Sequence, residues 1–87
     1  MSRKHRQTLR EIFENPVRAN IEWDDVEKLL IALGADLSEG RGSRLRIALN
    51  NVRAVFHRPH PRKEMDKGAV VSMRRFLVEA EVKDNEV

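Results

Sequence analysis

Two of the three histidines in this chain, His57 and His60, stand inside a run without a single carboxylate, Gly40 to Lys63 (GRGSRLRIALNNVRAVFHRPHPRK). The cations of the run are Arg41, Arg44, Arg46, Arg53, Arg58, Arg62 and Lys63, and Glu39 and Glu64 close it on either side. In a chain that is 36% charged, so long a stretch free of Asp and Glu points to a surface for a polyanion. The residue types also bound the chemistry. Metal-free cleavage of a phosphodiester needs a base for the attacking hydroxyl, an acid for the leaving oxygen and cations for the charge that builds on phosphate. Histidine as a type titrates near neutrality and suits the first two roles. Arginine suits the third, because its planar fork matches phosphate oxygens. Metal-assisted cleavage fits the sequence poorly. It needs grouped carboxylates, and none stands near the basic run.

The elements that must hold these side chains are legible around Asn50-Asn51. Leu45, Ile47 and Leu49 alternate with Arg44, Arg46 and Ala48; Val52, Ala54 and Phe56 alternate with Arg53, Val55 and His57. Period-two alternation on both sides of two asparagines predicts a hairpin, since Asn tolerates the positive φ of a two-residue turn. The register follows: Leu49 faces Val52, Ile47 faces Ala54, and Leu45 faces Phe56 on the core side. On the outer side Arg46 lies opposite Val55, Arg44 opposite His57, and Ala48 opposite Arg53. A slip of one residue would set the arginines against apolar core positions.

The rest of the chain supplies the support. Met1 to Arg6 is polar and basic and is expected to fray. Thr8 is the expected cap of a short helix carrying Leu9, Ile12 and Phe13, stopped by Pro16. Asp24, with Glu27 behind it, reads as the N-cap of a helix whose stripe is Val26, Leu29, Leu30 and Leu33. Trp23 would pack on its first turn, and Gly34 would stop it. Ala35 to Glu39 alternates as a short strand, and Gly40 to Ser43 is a turn. Pro59 and Pro61 hold His60 in an extended loop. Asp66 opens a last helix with Val70, Met73, Leu77 and Ala80 inward and Arg74 and Arg75 facing away. The order helix, helix, strand, strand, strand, helix predicts an α+β sandwich: a three-stranded antiparallel sheet, helices on one face, the arginines on the open face.

Eighty-seven residues with a formal net charge of +3 read as one domain with a modest core. We divide it into an arm and short helix (1–22), a main domain (23–82) and a polar tail (83–87). The absence of cysteine, of an apolar leader and of any long apolar run fits a cytoplasmic protein without a membrane partner. No cofactor and no metal are expected.

Leu33-Gly34, Arg41-Gly42-Ser43, His60-Pro61 and Lys67-Gly68, with the hairpin between them, resemble the HicA family of small toxins over roughly Trp23 to Val82. The resemblance implies a fold like that of the double-stranded-RNA-binding domain, ribonuclease action on messenger RNA, and restraint by a HicB-like antitoxin. In the family the Gly-Ser pair precedes a histidine regarded as catalytic; here Arg44 follows Gly42-Ser43. Two functions stay open. One is a ribonuclease with a rearranged centre, in which His57 and His60 are the candidate catalytic residues. The other is a module that binds RNA or antitoxin without cutting. The candidate RNA ligands in either case are Arg41, Ser43, Arg44, Arg46, Arg53, Arg58, Arg62, Lys63 and Lys67.

Overall fold

Asn50 and Asn51 take φ values of 50° and 69°, the left-handed conformation that a tight two-residue turn requires. The strands on either side, β3 (Arg44–Leu49) and β4 (Val52–His57), pair antiparallel from Leu49↔Val52 to Arg44↔His57. This is the register expected from the alternation. The structure, a computed structural model, describes residues 2–82. Strand β2 (Asp36–Glu39) pairs with β3, which gives the sheet order β2-β3-β4 and leaves β4 at an edge. Leu45, Ile47, Leu49 and Phe56 are buried on one face, while Arg44, Arg46, Arg53, Val55 and His57 are exposed on the other.

Three helices close the core: α1 (Arg3–Phe13), α2 (Trp23–Ala32) and α3 (Lys67–Glu79). From α2 come the buried Val26, Leu29 and Leu30, and from α3 Val70, Met73, Phe76 and Leu77. The fold is the expected α+β sandwich with a three-stranded antiparallel sheet. Gly34, at φ 92°, ends α2: its N–H donates to the Ile31 carbonyl and that of Ala35 to the Leu30 carbonyl. Asp66 caps α3 through a 2.8 Å hydrogen bond accepted from the Ala69 N–H.

Four expectations are corrected. Arg3 to Arg6 are helical rather than frayed, because Ser2, not Thr8, caps α1 by accepting from the His5 N–H at 3.2 Å. Thr8 is buried within that helix and donates to the Lys4 carbonyl. Asp24 lies in the first turn of α2, which begins at Trp23 after Glu22. The Trp23 N–H is already satisfied by the Lys63 carbonyl at 2.9 Å, so the chain can enter the helix one residue early. Arg74 does not face away. It donates to the Ile12 and Glu14 carbonyls (2.8 and 2.6 Å) and to Asn15 Oδ1 (3.1 Å), meeting the unpaired acceptors at the C-terminal end of α1. A second small sheet, β1 (Ile21–Glu22) with β5 (Glu64–Met65), was not foreseen, since two residues are too few to show a period. The expected polar tail lies outside the described residues.

Candidate nucleic-acid interface

The outer face of the sheet carries Arg44 and His57 as directly paired residues, with Arg46 opposite Val55 and Arg53 opposite Ala48. Cross-strand neighbours of this kind have Cβ atoms about 4.5–5.5 Å apart, so the Arg44 guanidinium and the His57 imidazole serve the same patch of space. No carboxylate lies on β3 or β4. Beside β4 a groove of about 1240 Å³ opens between that strand, the Pro-rich loop and α3. His57 and His60 both line it, and Arg53, Arg62, Lys67 and Arg75 stand along its walls. The structure therefore brings together the two candidate histidines and four of the expected cations, Arg53, Arg58, Arg62 and Lys67, at one groove. Arg53 and His57 belong to both surfaces.

Arg58 has another occupation. Its Nη1 and Nη2 each donate to a Glu39 carboxylate oxygen at 2.7 Å, and its Nε donates to Glu27 Oε2 at 2.8 Å. Glu27 also accepts from the Trp23 indole N–H. Glu39 reaches it from β2 and Glu27 from α2, so one guanidinium ties both elements to the end of β4, immediately after His57. The hydrogen bonds that Arg58 donates to Glu39, then those it donates to Glu27, push its pKa further above its ordinary value. The same bond from Arg58 holds the Glu39 carboxyl below the usual carboxylate range. The charge of Arg58 is compensated within the fold, and its role here is to position. The signal was present in Glu39, which sits just before the acid-free run, but only the β2-β3 pairing carries it to the β4 end.

The remaining expected ligands lie apart from the groove. Arg41, Ser43 and Lys63 are exposed in turns and loops. The Arg41 carbonyl accepts the Arg44 N–H at 3.1 Å, and Gly42 takes φ 60°, so this turn serves to launch β3. Arg75 was missed as a groove residue. It shares a helical stripe with Gly68, Ser72 and Glu79, all of which line the groove, at the spacing of one α-helix face. Among the described residues, no group of three or more His, Asp and Glu is placed to hold a metal ion.

A model of the HicA toxin of bacterial toxin-antitoxin systems matches residues 23–81. The chain belongs to the HicA toxin family. Membership makes it a toxin by descent and implies a pairing with an antitoxin. No curated protein and no solved structure matches it. The match to the HicA model begins at Trp23, where α2 begins, and so leaves α1 and the connector outside it. No helix among the described residues of this HicA protein is long and apolar enough to cross a membrane.

Proposed function

We propose that this HicA-family chain is an RNA-binding toxin that cuts messenger RNA without a metal ion, at His57. The observation that supports this reading most directly is the cross-strand pairing of Arg44 with His57, which lines the groove together with His60. Arg44 occupies the place that a histidine holds in the toxins it resembles, and its cross-strand partner supplies an imidazole to the same space. Arg44, Arg46 and Arg53 hold phosphates by side-chain donors, with Arg62 and Lys67 extending the track along the groove. His57 takes the proton of a 2′-hydroxyl, whose oxygen attacks the adjacent phosphorus. The bond from phosphorus to the 5′-oxygen breaks, and His60 returns a proton to that oxygen. The products are a 2′,3′-cyclic phosphate and a 5′-hydroxyl end. Arg44 neutralises the charge on the phosphoryl oxygens. A HicB-like antitoxin, with acidic and apolar residues over Arg44, Arg46, Arg53 and His57, would block the same face.

Arginine cannot shuttle protons, so the presence of Arg44 also favours a second reading, a binding module that does not cut. Growth arrest on induction, together with cleavage of purified RNA in chelator, separates the two. Cleavage by wild type and its loss in His57→Ala support the first reading. RNA binding with no cleavage by wild type supports the second.

A further inference from the structure

Among the described residues, the main chain of β4 leaves an unused hydrogen-bonding edge. The Arg58 N–H donates to the Ser43 carbonyl at 2.9 Å, and the Gly40 N–H donates to the Arg44 carbonyl at 2.9 Å. With the observed register, these bonds fix which way each peptide group points. Residues 45, 47 and 49 of β3 turn their N–H and C=O groups to residues 56, 54 and 52, and residues 44, 46 and 48 turn theirs to β2. Arg53, Val55 and His57 therefore direct their backbone groups away from the sheet, into the groove. Among the described residues, none of these three takes part in any main-chain bond outside the β3-β4 ladder. Such an edge is a template for another strand.

We infer that the β4 edge accepts an extended, acidic segment of a partner protein, which adds to the sheet as a fourth, antiparallel strand. An edge that alternates donors and acceptors suits a peptide, which offers both, better than a phosphate, which only accepts. A second copy of β4 is the wrong occupant. Two-fold pairing centred on Val55 would put Arg53 of one copy opposite His57 of the other, with no carboxylate in either strand. The side chains of β4 ask for an acidic, an apolar and an acidic residue at alternate positions, opposite Arg53, Val55 and His57. Val55 is 56% exposed and supplies the apolar centre. Arg62, Lys67 and Arg75 line the far side of the groove against Glu64 and Glu79, since the carboxylate of Asp66 is engaged by its helix cap. The site needs the main chain of β4 as well as the Arg53 and His57 side chains, whereas RNA is proposed to use side chains only, so either idea can fail alone.

The probe is the peptide acetyl-Thr-Thr-Glu-Thr-Val-Thr-Glu-Thr-Thr-amide, titrated into the full chain and followed by NMR and hydrogen exchange. Saturation should slow exchange at the Arg53, Val55 and His57 amides at least tenfold and leave Ala54 and Phe56, already inside the ladder, unchanged. N-methylation of the Glu and Val nitrogens of the peptide should weaken binding at least tenfold, and replacing its Glu by Lys should do the same. Val55→Pro should also weaken it tenfold, because this N–H points outward and its loss leaves the inner ladder intact. If that variant does not fold, the N-methylated peptide decides. No binding at millimolar peptide would overturn the inference, as would equal binding of the methylated or the Lys peptide. Protection of the same three amides by an RNA oligonucleotide but not by the peptide would assign the edge to RNA and overturn it too.

Discussion

His57 and Arg58 are neighbours with opposite fates. One side chain projects from the open sheet face, and the other turns back into two carboxylates. The proposed chemistry makes His57→Ala lose about 100-fold or more in RNA cleavage, while its circular dichroism and melting stay those of wild type. Cleavage at the wild-type rate by that variant would remove His57 from the mechanism. Arg58→Leu should instead destabilise the fold by about 1–2 kcal/mol in chemical denaturation, because Glu27 loses a partner in a half-buried place. The Glu39 carboxyl is held below its ordinary value by the hydrogen bond from Arg58. Its contribution to stability is thus present above the ordinary value of 4.5 and is lost as pH falls through the lower folded value. In Glu39→Gln that part of the acid-induced loss should be missing when denaturation midpoints are compared across the range below pH 4.5.

At the scale of elements, the hairpin decides which residues share the site. Asn50 and Asn51 hold positive φ, and Asn50 Nδ2 donates to the Ala80 carbonyl at 2.8 Å, tying the turn to the end of α3. Asn51→Val should cost about 1–2 kcal/mol, since a β-branched residue resists the left-handed conformation. Asn50→Ala should cost a similar amount through strain and the missing hydrogen bond. Urea denaturation of both variants checks this. The hairpin was legible because both of its strands alternate over six residues and the turn residues explain themselves. The β1-β5 pair was not, because its partners lie 42 and 44 residues apart and bury only Ile21 and Met65 fully.

At the scale of the molecule, α1 is part of the core although it lies outside the family match. Leu9 and Ile12 are fully buried, and the Arg74 guanidinium holds the helix end. Leu9→Ala should destabilise the whole chain by about 2–5 kcal/mol in one cooperative transition. A separate early melting of α1 would show that it is an appendage. RNA affinity should fall linearly on a logarithmic salt scale, and Arg44→Ala with Arg46→Ala should reduce that slope by about 2, one unit for each phosphate no longer neutralised. An unchanged slope would take the phosphates off this sheet face.

What the sequence determined by itself is what depends on neighbours along the chain. Periodicity set the β3-β4 register, the stripes of α2 and α3, the stop at Gly34 and the cap at Asp66, because side-chain direction repeats with the backbone. The run without carboxylates made an anionic partner the natural reading. The tertiary structure decided which cations of the chain keep their charge for a partner. Arg58 meets Glu27 and Glu39 only after α2, β2 and β4 converge, and Arg74 meets the end of α1 only after α3 packs against it. Both pairings join residues far apart in sequence, where local pattern carries no information about distance. The groove that gathers His57, His60 and Arg75 forms for the same reason, between an edge strand and a helix that only the fold sets side by side.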